Sequence, residues 1–108
     1  MDINRVEQLQ KFIQETPDDP FPKYALGLEY KNSDLTSAAQ SFETLLTEHP
    51  EYLPAYYHAA EVFCELNLVE KVKHIYEQGI DLAKKQRDQK ALSELQNAFQ
   101  NFLFEYDH

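Results

Sequence analysis

The sequence predicts an all-α fold of about six helices, paired as hairpins and stacked side by side. Three observations predict it. Apolar residues recur at spacings of three and four along the chain, and no segment alternates apolar and polar residues with period two for long. Short clusters of Asp, Asn, Thr and Pro interrupt that pattern. The pattern then repeats itself, helix pair upon helix pair, after 33 or 34 residues.

Taken in order, Ile3, Val6, Leu9, Phe12 and Ile13 lie on one face of a first helix, predicted over 3–16 with Asp2 as its N-cap. Thr16-Pro17-Asp18-Asp19-Pro20 stops it, because proline lacks the N–H and restricts the residue before it. A second helix runs from about Phe21 to Lys31, capped by Asp19 with Pro20 or Pro22 in its first turn, where a missing N–H costs little. Asn32-Ser33-Asp34 is a polar turn. Asp34 caps a third helix carrying Leu35, Ala38, Phe42, Leu45 and Leu46, which stops near His49-Pro50. The fourth starts at Tyr52-Leu53-Pro54, carries Tyr56, Ala59, Ala60 and Phe63, and breaks near Leu66-Asn67. The fifth runs from about Val69 to about Gln86, with Val72, Ile75, Tyr76, Gly79, Ile80 and Ala83 on one side. Asp88 caps a last helix over 88–106, whose apolar stripe is Ala91, Leu92, Leu95, Ala98, Phe99, Phe102 and Leu103.

The composition narrows the function classes. A chain of 108 residues is one domain, large enough to bury a core without staples. Two glycines are too few for an all-β protein full of tight turns. A formal net charge of −9 argues against nucleic-acid binding and against docking on anionic lipid, and favours basic partners. The single cysteine, Cys64, permits no internal disulfide and no cysteine-based metal site, so a reducing, cytoplasmic setting is expected. The amino terminus has no signal-peptide pattern, and no apolar run approaches the ~20 residues needed to span a bilayer.

The repeat carries the argument from fold to function. Leu35, Ala38, Phe42 and Leu46 stand 34 residues before Val69, Val72, Tyr76 and Ile80. Leu26, Gly27 and Tyr30 stand 33 before Ala59, Ala60 and Phe63. By period and by motif the chain resembles the tetratricopeptide-repeat family, in its small bacterial form. Leu26-Gly27 with Tyr30 matches the family's first-helix pattern, and Ala59-Ala60 with Phe63 matches it more loosely. Ala38, Phe42 and Pro50 match the second-helix pattern, as do Tyr76 and Gly79. Small residues at such positions let paired helices approach closely, and aromatics fill the space beside them. Gly27 is therefore expected against Ala38. Four positions depart from the pattern: Lys23 replaces a large aromatic, Leu45 a small residue, Val72 the alanine and Lys84 the terminal proline.

The first helix fits a lone second helix, with Leu9, Phe12 and Pro17 standing 33 residues before Phe42, Leu45 and Pro50. The expected organisation is thus a single domain: a half-repeat helix at 3–16, repeats at 20–50 and 51–86, and a capping helix at 88–106. The architecture implied is a tetratricopeptide-like helix-turn-helix array, or α-α superhelix. With fewer than three full repeats, both flanking helices are needed for stability.

No catalytic, cofactor or metal site is expected. His49, His58, His74 and His108 form no helical pair with an acidic residue of the kind metal sites use, although His58 and His74 could approach across a helix pair. Cys64 has no basic neighbour in sequence to activate it, and Ser33, Ser37, Ser41 and Ser93 lack a nucleophile context. Lys71, Lys73, Lys84, Lys85, Arg87 and Lys90 concentrate the basic charge, which suits the end of a helix and also an acidic partner.

The resemblance implies that the first helices of the repeats line a concave, partner-binding face. Its expected residues are Phe21, Tyr24, Leu28 and Lys31 in the first repeat and Pro54, Tyr57, Glu61 and Cys64 in the second. Outward-facing aromatics give large contact area with few rotatable bonds. The expected function is binding another protein or peptide, as an adaptor, with a preference for apolar or aromatic segments with basic flanks. The alternatives are a homodimer that buries this face, or a terminal helix that covers it. Family members that clamp acidic chaperone tails present Lys and Asn at the positions held here by Tyr24, Leu28, Tyr57 and Glu61, so no such clamp is expected.

Overall fold

The computed structural model describes residues 2–107; His108 lies outside them. Six helices follow one another: α1 (Ile3–Glu15), α2 (Pro20–Lys31), α3 (Leu35–Glu48), α4 (Pro54–Glu65), α5 (Val69–Gln86) and α6 (Gln89–Asp107). Among the described residues there is no strand. Each helix packs on the next, and α2 also meets α4 across the stack. The molecule measures 41 × 29 × 20 Å.

The helix starts are chemical. Four aspartates cap four helices, each accepting a backbone N–H that would otherwise lack a partner. Asp2 accepts from Arg5, Asp19 from Phe21, Asp34 from Ser37 and Asp88 from Ala91, at 3.0–3.2 Å. Pro20 and Pro54 each occupy the first helical position. Two helix ends use the left-handed region instead. Asn67 (φ 61°) follows α4, and Arg87 (φ 58°) closes α5. Asp88 N–H then reaches back to the Ala83 carbonyl at 3.0 Å, which satisfies an orphan acceptor of the last turn.

The core runs through the centre of the stack. Phe42, Leu45, Val62, Phe63 and Val72 are fully buried and join α3, α4 and α5. Leu95 and Phe102 carry that cluster into α6. A smaller cluster of Val6, Leu9, Ala25 and Leu26 joins α1 to α2. The predicted apolar face of α1 is only partly used: Ile3 and Phe12 stand 65% and 53% exposed. The reason is that α1 is the outer layer and packs mainly on α2, whereas its counterpart α3 is flanked on both sides.

The closest approach at Gly27 is to Phe42, one turn along α3 from the expected Ala38. A Cβ on Gly27 would stand 2.8 Å from the tip of the Phe42 ring. Gly79 is confined in the same way, by Tyr56 of α4 at 2.9 Å and Leu95 of α6 at 3.3 Å. Replacing Gly27 with Leu should cost about 1–3 kcal/mol through overpacking. Urea denaturation checks this, and a variant as stable as the parent would contradict the packing described.

Lys23 earns its place at an aromatic position by a different route. Its ammonium donates to the Pro17 carbonyl at 2.6 Å and to His49 Nε2 at 3.1 Å, and pairs with Glu48 at 3.0 Å. It ties the α1–α2 turn to the end of α3 while its stem covers apolar surface.

Candidate functional site

The first helices α2 and α4, together with α6, border one open groove of about 980 Å³. Tyr24 comes from α2, and Pro54, Tyr57 and His58 come from α4. Tyr52 and Leu53, in the turn before α4, also line it. The opposite wall is α6, which contributes Ala91, Glu94, Asn97, Ala98 and Asn101. These five sit at spacings of three and four, hence on one helical face. The C-terminal helix therefore builds the groove rather than lying over it.

The aromatic side is pre-packed. The rings of Tyr24 and Tyr52 meet edge to face, 5.4 Å between centroids. The His58 ring lies 5.9 Å from Tyr24 and 5.5 Å from Tyr57. Burial raises the Tyr24 and Tyr52 hydroxyls above their ordinary pKa, so both remain protonated donors at neutral pH.

The expected site residues separate into groups. Tyr24, Pro54 and Tyr57 face the groove. Phe21 is 58% exposed at its margin, with its ring 6.4 Å from Tyr24. Leu28 is half-buried and packs against the main core. Lys31 and Glu61 are engaged with each other, Nζ to Oε1 at 2.6 Å. Cys64 lies beside Tyr106, with 3.8 Å between the sulfur and the hydroxyl oxygen. Tyr52, His58, Asn97 and Asn101 are among the groove residues that the sequence did not place on this face.

His58 belongs to the Lys31–Glu61 cluster. The Lys31 ammonium is 3.1 Å from its Nδ1, and Glu61 is 3.3 Å from the same nitrogen. Neutral His58 accepts from Lys31 at Nδ1; a protonated ring would instead face that ammonium. Burial holds the His58 pKa below 6.5, and the Lys31 charge lowers it further, against the opposite pull of Glu61. The unfolded chain then binds a proton before the folded one does. Stability is retained above about pH 6.5 and falls as the pH drops from there towards the lower folded value. Denaturant titrations should show the parent losing stability over that interval more steeply than His58→Gln. Equal slopes would contradict the cluster's role. Among the described residues no group of three or more His, Cys, Asp or Glu could hold a metal ion, and no helix is long and apolar enough to cross a membrane.

Solution and crystal structures of a tetratricopeptide repeat domain protein from Salinibacter ruber match this chain with TM-scores of 0.74 and 0.73. The sequence identities are 37% and 36%, over 80% and 78% of this chain and 88% and 96% of theirs. The chain belongs to the tetratricopeptide-repeat family. A Bordetella parapertussis protein, 19% identical, shares the fold over 100% of this chain and 96% of its own, with a TM-score of 0.78. A scan against family models and a search of curated proteins find no match. As a tetratricopeptide-repeat protein, the chain presents its groove on the first helices of its hairpins, with α6 in the place a third first helix would take.

Proposed function

We propose that the chain is a non-catalytic adaptor of the cytoplasm that binds another protein or peptide in the groove between α2, α4 and α6. In this reading the half-repeat at 3–16, the repeats at 20–50 and 51–86 and the capping helix at 88–106 act as one binding unit. The observation that carries it is an open groove with a pre-packed aromatic wall whose rings no terminal helix covers. Amphipathic rings held in place bind at low entropic cost. Self-association through the same face is the competing outcome. Light scattering at micromolar concentration separates the two, and a dimer that Tyr57→Ala dissolves would overturn the adaptor reading.

Specificity follows from charge. The groove carries Glu51, Asp88 and Glu94 against the single Lys90, and Lys31 is already paired with Glu61. An acidic tail would meet like charge and find no free clamp of cations. Titration calorimetry with a Glu-Glu-Val-Asp peptide should show no measurable binding. An aromatic peptide with basic flanks should bind, and Tyr57→Ala should weaken it. Micromolar affinity for the acidic peptide would overturn this specificity.

A further inference from the structure

We infer that the groove takes a proline-rich segment in the polyproline II conformation with a Lys or Arg at one end, an inference that rests on the groove being the binding face.

The groove is built from helices, and helices spend their backbone N–H and C=O groups internally. Within the groove, the backbone of a bound segment can therefore be satisfied directly only by side chains, and otherwise by water. The available side chains are few, and most of them can both donate and accept. The hydroxyls of Tyr24, Tyr52 and Tyr57 make no hydrogen bond among the described residues, and the amides of Asn97 and Asn101 stand one helical turn apart on the opposite wall. Glu51, Asp88 and Glu94 add acceptors, and Lys90 adds a donor.

An ordinary extended segment brings one N–H and one C=O per residue. Side chains this few, at fixed positions, cannot serve both groups of every residue, and each N–H that is desolvated without a partner costs free energy. Proline has no N–H and presents only the carbonyl, which Tyr and Asn can serve. Its polyproline II helix leaves those carbonyls free and is already ordered before binding. Flat pyrrolidine faces pack on tyrosine rings, the general mode by which aromatic-lined grooves hold such segments. The Tyr24–Tyr52 pair, held edge to face at 5.4 Å, supplies two such rings side by side. The charge then sets the flank. Glu51, Asp88 and Glu94 outnumber Lys90 on the groove lining, so a cation at one end of the segment is attracted and an anion repelled.

The test is an NMR titration of the isotope-labelled chain. The probe is a run of prolines ending in arginine. Three further peptides accompany it: one with alternate prolines changed to alanine, one ending in glutamate, and a proline-free aromatic peptide with basic flanks. The proline–arginine peptide should shift resonances around Tyr57 and Asn97, and the alanine and glutamate peptides should bind about tenfold more weakly or worse. Asn97→Ala, at an exposed helical position that tolerates alanine, should weaken the proline–arginine peptide by about tenfold, as should Tyr57→Ala. Equal binding of the alanine peptide, or no binding of the proline–arginine peptide, overturns the inference. If the proline-free aromatic peptide alone shifts Tyr57 and Asn97, the groove reading survives and the proline preference falls. If the proline–arginine peptide shifts only the far side, around Ile13, Gln40 and Thr44, both fall.

Discussion

A chain ending at Arg87 should lose most of its stability, and with it the cooperative melting of the parent. Without α6 the fold loses the burial of Leu95 and Phe102, which stand 2% and 6% exposed, together with the half-buried Ala91, Leu92, Ala98, Phe99 and Leu103. It also uncovers what they protect. Tyr76 is stacked on Phe99 at 5.3 Å, and burial has pushed its hydroxyl up to about 12. Leu95 closes the gap left by Gly79. Each large side chain fully removed from water contributes about 1.5–3 kcal/mol, so several kcal/mol are at stake. A domain of this size holds only about 5–15 kcal/mol in total. At roughly 4–8 °C per kcal/mol, the melting temperature should fall by about 20 °C or more, or the transition should vanish. Circular dichroism during heating measures this. A truncated protein that melts with its parent would mean that α6 is not part of the cooperative core.

The helices and their caps were legible in the sequence because both are local. Asp2, Asp19, Asp34 and Asp88 each precede an apolar run, and each makes the predicted hydrogen bond. The pairing of helices was legible because hairpins recur with one period. Layer position was harder to read. Ile3 and Phe12 have the spacing of core residues, but spacing does not reveal that α1 has a neighbour on one side only.

The groove was half legible, and for a definite reason. Tyr24 and Tyr57 share the repeat offset of 33 and so announced themselves. The wall made by α6 did not, because α5 is longer and shifts the offset to 36. At that spacing Ala55, Tyr56, Ala59, Val62 and Phe63 fall on Ala91, Leu92, Leu95, Ala98 and Phe99. The same shift places Glu94 and Asn97 where α4 has His58 and Glu61. A search for self-similarity with a variable gap would have found a third first helix where the apolar stripe alone suggested a capping helix. The Lys31–Glu61 pair was hidden differently. The repeat aligns Lys31 with Cys64, but the long lysine reaches one turn back along α4 to Glu61.

The second large effect concerns Phe42, and it comes with a reversal of sign. Phe42 is completely buried, and its ring fills the space that Gly27 leaves open. Phe42→Ala should cost about 3–5 kcal/mol, the lost transfer energy plus the cavity left behind. Gly27→Ala acts on the same contact from the other side. In a helix, alanine is favoured over glycine by about 0.8–1.0 kcal/mol. In the parent that gain is opposed by a Cβ only 2.8 Å from the Phe42 ring, which is locked among α2, α3 and α4 and has little room to give. Gly27→Ala alone should therefore be destabilising. Once Phe42 is alanine, the clash is gone, and the added methyl also fills part of the void. The same Gly27→Ala substitution should then stabilise, by about 1 kcal/mol. Urea denaturation of the parent, both single variants and the double variant closes the cycle, and the coupling should fall within about 0.5–3 kcal/mol in favour of the double. Additive behaviour would mean that Gly27 is there for reasons other than the ring of Phe42.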